Sequence, residues 1–177
     1  MLRRSRFLAL AVGALIAFSA MPAGAVTGSV DDPDDVNGKL DLARLYFRKD
    51  TDTSSLLIVI KTIEKWNKAV LRGNVNRLVV LIDTDGDGTA DFRARIKRAG
   101  NDLAAFITSA DSAFEPLPVH KTDAWTTRFR IPGSSPPNPD GPPPHFQVVS
   151  RFVESIDCDT ASGQGPCIDT MPDEGWS

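Results

Sequence analysis

Asp83, Asp85 and Asp87 fall at alternate positions of the segment Asp83-Thr84-Asp85-Gly86-Asp87-Gly88-Thr89-Ala90-Asp91, which a fourth carboxylate, Asp91, closes. Calcium is a hard cation that takes about six to eight oxygen ligands, and carboxylates spaced this way in a tight loop can be aimed at one point. Gly88 permits the sharp turn that wraps the backbone round an ion. The Thr89 carbonyl is then placed to coordinate, and Asp91 completes the shell directly or through water. One Asp-Gly pair suffices for a simple turn, whereas four carboxylates in so short a run repel one another unless something neutralises them. The 19 Asp against 4 Glu in the chain lean the same way. The expected metal ligands are therefore Asp83, Asp85, Asp87, Thr89 and Asp91, and the expected ion is calcium. Its affinity should be modest, with dissociation at about 0.1–1 mM, the range of extracellular sites.

No comparable grouping exists for catalysis. A nucleophile elbow of the G-x-S-x-G type and a zinc-binding H-E-x-x-H are both missing, and 2 His and 4 Glu leave little for acid–base work. The chain is read as a non-enzyme, with an uncharacterised hydrolase as the least favoured alternative. Sugar binding asks for a flat ring on which a pyranose can stack. Among 3 Trp and 1 Tyr, Trp66 is the best candidate, since it stands beside Glu64 and Asn67 on a connection, whereas Trp125 is in register with Phe129 and reads as core.

These groups need a scaffold, and the chain begins with instructions for delivering it. Arg3, Arg4 and Arg6 precede an apolar stretch from Phe7 to Ala20 and then Ala23-Gly24-Ala25, the pattern of a secretory signal peptide cleaved after Ala25. At about 14 residues the stretch is too short to span a bilayer, which takes about 20. With no lipid-accepting Cys near the cut and no apolar tail, the expectation is a secreted protein without a membrane anchor. Cleavage removes three Arg and takes the net charge from −3 to −6. An acidic chain lacks the basic footprint of a nucleic-acid binder. Cys158 and Cys167, the only cysteines, read as a disulfide pinning the tail. Such a ring contributes about 2.5–3 kcal/mol in the chain-entropy picture. A metal or redox pair would favour C-x-x-C spacing or a nearby His.

Most of the remaining apolar runs are short, rich in Val, Ile, Phe and Thr, and bounded by Gly, Asn, Asp or Pro, as strands are. Leu56–Ile60 and Leu78–Ile82 are continuous runs suited to the middle of a sheet. Phe92, Ala94 and Ile96 alternate with Arg93, Arg95 and Lys97, and Trp125–Ile131 repeats the pattern. Leu40–Phe47, Leu103–Thr108 and Phe146–Val153 bring the expectation to seven or more strands. Only Thr62–Leu71 has spacing near that of a helix, and it reads as a short helix or a structured loop. The expected fold is all-β: a two-sheet antiparallel sandwich, jelly-roll-like, with at most one short helix and a closed barrel as runner-up. It occupies 26–177, with a stiff Pro-rich loop at 132–144 and the tail at 158–177. The acidic run Asp31–Asp35 reads as a solvated arm, and whether Asp31 to Asp41 adds a second ion is left open.

The Asp83–Asp91 loop resembles the front half of an EF-hand, and more closely the calcium repeats of dockerins and thrombospondin type-3 segments. It departs at Ala94, where an EF-hand carries its bidentate Glu, and its flanks are strands. Asp35-Val36-Asn37-Gly38-Lys39-Leu40-Asp41-Leu42, Val80 to Gly88 and the terminal Cys-x-Asp-x-x-Pro form an ordered set. Together they resemble secreted bacterial DOMON and family-nine carbohydrate-binding-module domains over Asp35 to Pro172. That resemblance implies a jelly-roll-like sandwich with structural calcium and a ligand that is usually a sugar or, in some DOMON proteins, haem. The expected function is a noncatalytic, calcium-stabilised binding module, a glycan being one ligand class it admits. The alternative is a structural or protein-interaction domain of the envelope. Its partners are then a polysaccharide or an envelope protein.

Overall fold

The computed structural model describes residues 27–36, 38–50, 52–73, 75–133, 144–153, 166–172 and 175–177. The expected leader, Cys158 with its pairing to Cys167, and most of the Pro-rich loop lie outside them. Ten strands run in order: β1 (Thr27–Asp31), β2 (Leu42–Asp50), β3 (Ser55–Thr62), β4 (Arg77–Asp83), β5 (Phe92–Ala99), β6 (Asp102–Thr108), β7 (Leu117–Lys121), β8 (Thr126–Ile131), β9 (His145–Phe152) and β10 (Cys167–Met171). All neighbours are antiparallel, in the order β1-β2-β3-β8-β7-β6-β5-β4-β9-β10. The runs expected to be central are so, since β3 lies between β2 and β8 and β4 between β5 and β9.

The two-sheet division expected from the sequence does not appear in the hydrogen bonding. The ladder passes through all ten strands as one sheet, which curls until its edges nearly meet. The Leu42 backbone N–H of β2 donates to the Asp169 carboxylate of β10, and the rings of Phe47 on β2 and Phe146 on β9 stand 4.7 Å apart. Alternation of apolar and polar residues is the same in a sandwich and in a barrel, so periodicity alone does not choose between them. Inside the curl, alternate residues of β3, β4, β8 and β9 are buried: Ile58 and Ile60 on β3, Val80 and Ile82 on β4, Phe129 on β8, Phe146 and Val148 on β9. Among the described residues this shared interior holds the apolar core.

Antiparallel neighbours put the connections at two ends. The β2–β3, β4–β5, β6–β7 and β8–β9 connections share one end; the N-terminal arm and the β3–β4 connection lie at the other. In the β3–β4 connection, the helix that the spacing of Thr62–Leu71 allows shrinks to one 3-10 turn, Lys68–Leu71, capped by Asn67 Oδ1 on the Ala69 N–H at 2.9 Å. The backbone N–H groups of Thr62, Ile63 and Trp66 donate instead to the carbonyls of Trp125, Asp41 and Ala124. In an α-helix over this segment the Trp66 N–H would bond the Thr62 carbonyl, and its commitment to Ala124 leaves that turn open. Trp66 and Leu71 are buried there and join the core. The acidic arm is also less solvated than expected, because Asp32 is half-buried, Asp32 N–H donates to the Ala43 carbonyl and Val36 packs on the core. Among the described residues no helix is long and apolar enough to cross a membrane.

Candidate metal centre

The β4–β5 ladder ends at Ile82 and Phe92, and the Asp91 N–H closes it on the Ile82 carbonyl at 3.0 Å. The intervening loop is wound by its own carboxylates. Asp83, fully buried at the tip of β4, accepts the N–H groups of Asp85 (3.2 Å) and Gly86 (2.7 Å) on Oδ1 and that of Gly88 (2.9 Å) on Oδ2. Asp85 Oδ1 takes the Asp87 N–H at 3.2 Å, and Asp87 Oδ1 takes the Thr89 N–H at 2.6 Å. The bonds from Asp83 to Asp85, Asp85 to Asp87 and Asp87 to Thr89 are those that short acidic side chains offer to the backbone two residues on, so Asp at alternate positions is what coils the segment. Asp91 Oδ2 receives the N–H of Thr84 at 2.8 Å and also its hydroxyl, which ties the far side of the loop back to its start.

The coil brings carboxylate oxygens of Asp83, Asp85 and Asp91 within 4.8 Å of one another. Burial acts to raise the Asp83 pKa, but backbone donors from Gly88, Gly86 and Asp85 outweigh it and leave the group below the usual carboxylate range. The charged form is therefore the one this loop is built round. Of the five residues expected to ligate, three converge. Asp87 is not among them and accepts the Thr89 N–H, a bond that does not engage the Thr89 carbonyl expected to ligate. The oxygen-only donor set suits a hard cation such as calcium or magnesium.

Gly86 and Gly88 have φ of +78° and +85°, the left-handed region that glycine enters without penalty. Around Gly88 an added Cβ meets nothing within 4 Å, so a substitution there acts through the backbone alone. Gly88→Ala is expected to cost about 1–2 kcal/mol and to weaken ion binding. Gly88→Asn should recover part of the loss, because Asn tolerates that conformation. Urea unfolding of both variants gives the comparison.

Beside the loop lies an open cleft of about 780 Å³, lined among others by Thr84, Thr89, Asp91, Arg93, Ser109 and Asp111. Sequence reasoning missed it because Ser109 and Asp111 come from the β6–β7 connection and meet the β4–β5 loop only once β5 has paired with β6. Trp66 offers no comparable surface. It is 4% exposed, and Lys121 Nζ sits 4.1 Å from its ring centroid, so neither face is open to a sugar. Trp125 is half-buried, with Lys65 Nζ 5.1 Å from its ring centroid. Cys167 is buried at the start of β10. Of the residues that could serve haem, Met171 is wholly buried whereas His120 and His145 are exposed on different strands. Compared with known protein families, curated proteins and solved structures, the chain matches none.

Proposed function

We propose that this chain is a noncatalytic, calcium-stabilised binding module that works outside the cell. The observation that carries the reading is the β4–β5 loop, where three carboxylates converge on a coil held by Asp83. A secretory leader with the Ala23-Gly24-Ala25 cleavage pattern supports the location, and the Cys158–Cys167 pair supports the oxidising compartment. The resemblance of the ordered motifs to DOMON and family-nine carbohydrate-binding modules supports the class. A flattened, jelly-roll-like packing of the same antiparallel strands is the finer architecture that class implies. With Trp66 buried, a glycan has to be held by hydrogen bonds from the polar cleft beside the loop rather than by ring stacking.

Thermal unfolding in chelator and then in calcium, with magnesium as control, tests the reading. For dissociation near 0.1 mM, about 1 mM calcium stabilises by about 1.4 kcal/mol, which raises the melting temperature by about 3–6 °C. Absence of a saturable shift at about 10 mM, well above the affinity range of such sites, reduces the loop to an acidic turn.

A second reading, a protein-interaction domain of the envelope, draws on three exposed apolar residues. Val75 and Val153 adjoin, since the Val153 N–H bonds Asn76 Oδ1, and Ile168 lies on neighbouring β10. Retention on cell-wall polysaccharide, lost in Asp111→Ala, favours the binding module over this reading.

A further inference from the structure

A second set of acids gathers where the two edges of the sheet meet, at the end opposite the Asp83–Asp91 loop. Asp32 and Asp35 come from the arm after β1 and Asp169 from the middle of β10, and their carboxylate oxygens lie within 4.8 Å of one another. Asp41, immediately before β2, joins them: its carboxyl hydrogen-bonds that of Asp34 and feels the charges of Asp169 and Asp35. Asp41 and Asp169 are each only 3% exposed. Asp169 Oδ2 accepts the Leu42 N–H, but Asp169 Oδ1 and Asp41 Oδ1 have no hydrogen-bond partner.

Two buried carboxylate oxygens without donors, facing further carboxylates, are a costly arrangement unless a positive charge lies among them. Burial, then the charges of Asp169 and Asp34, push Asp41 up to about 8, and burial raises Asp169 too. A shared proton could relieve one pair of oxygens. It could not explain why the arm and β10 bring three carboxylates to one point with the buried Asp169 Oδ1 left without a donor and Asp41 Oδ1 unpartnered beside them. A divalent cation with several open oxygen positions accounts for all of them.

We propose that a calcium ion binds at this seam, held by Asp32, Asp35, Asp41 and Asp169, and staples the arm and the start of β2 to β10. Among the described residues β2 and β10 share no ladder, and the Leu42–Asp169 bond joins them. The ion supplies the closure that backbone pairing leaves out. It also gives the ordered motifs at Asp35–Leu42 and Cys167–Pro172 a common purpose, since both end at this point in space. The seam site shares no residue with the β4–β5 loop and stands or falls without it.

Counting bound calcium by equilibrium dialysis of the purified protein tests the proposal. The expected result is two ions per chain, one lost in Asp85→Ala and the other in Asp35→Asn. Asp35 is exposed, so its variant keeps the fold, which circular dichroism checks; Asp169→Asn also removes the ion but risks the Leu42 bond. In the Asp85→Ala background, calcium should slow amide exchange in β10 and residues 32–36 at least tenfold, and Asp35→Asn should erase that protection. An ion lost on Asp35→Asn and kept in Asp85→Ala upholds the seam even if the loop binds nothing. Binding already absent in Asp85→Ala, or unchanged by both Asp35→Asn and Asp169→Asn, overturns it.

Discussion

Asp83→Ala is expected to abolish the loop's calcium response and to lower the melting temperature by roughly 5–10 °C even in chelator, the largest effect of any change in the loop. The reason is that Asp83 has two tasks. In the proposed site it would supply ligand oxygens, and it accepts the N–H groups of Asp85, Gly86 and Gly88 while fully buried. Removing an ionised acceptor leaves three donors to find water in a coil that no longer has a centre. Asp85→Ala should behave differently: it loses the ion but only one internal bond, to the Asp87 N–H, so stability in chelator should barely change. Asp83→Asn falls between them, since the amide keeps one accepting oxygen and turns a donor towards the remaining N–H groups. Melting curves of the three variants with and without calcium separate the two tasks. Equal melting of Asp83→Ala and the parent in chelator would show that the loop does not depend on this carboxylate.

The same distinction between local and distant causes decides what the sequence reveals. The β4–β5 loop is legible because every bond that shapes it spans a few residues, and alternating Asp and Gly state both the bonds and the bends. Continuous runs in β3 and β4 and alternation in β5 and β8 are equally local signals. The strands left unread are β1, β7 and β10, which draw their order from partners. β1 is Thr-Gly-Ser-Val-Asp and holds by pairing with β2. β7 contains Pro118, which cannot donate to a ladder, yet it pairs with β6 and β8. β10 inverts the usual pattern, with Ile168 exposed while Asp169 is buried between Cys167 and Met171. Hydrophobicity therefore points away from a strand at the place where β10 carries its most informative residue. Asp169 is buried because it answers to Leu42 and to the acids of the arm, none of which is near it in the chain. Asp87 is a different case: its spacing qualifies it as a ligand, one of its oxygens accepts the Thr89 N–H, and its carboxylate is not one of the three that converge.

Trp66→Ala is expected to destabilise the protein by about 3–5 kcal/mol, the cost of emptying a large aromatic site in a packed core. A tryptophan serving as a sugar platform would give the reverse result, a variant that melts like the parent and loses only ligand. The structure favours the first outcome. Trp66 is 4% exposed, it packs with Leu71 in the connection that covers one end of the sheet, and its backbone N–H bonds Ala124 at 3.0 Å. Lys121 sits over the ring, where burial lowers its pKa despite Asp123 nearby, and its ammonium also donates to the Ala124 carbonyl at 2.8 Å. Substitution by alanine therefore opens a cavity and takes the aromatic face from a half-buried cation. Trp66→Phe isolates the packing. The indole Nε1 has no hydrogen-bond partner, so exchanging it for a phenyl ring removes an unsatisfied donor and restores much of the volume. That variant should lose no more than about 1.5 kcal/mol. Denaturant unfolding of the two variants, with polysaccharide binding measured on whichever stays folded, settles the role of Trp66: binding that survives Trp66→Phe and a large stability loss in Trp66→Ala place this residue in the scaffold, and leave the polar cleft at the β4–β5 loop as the surface to probe.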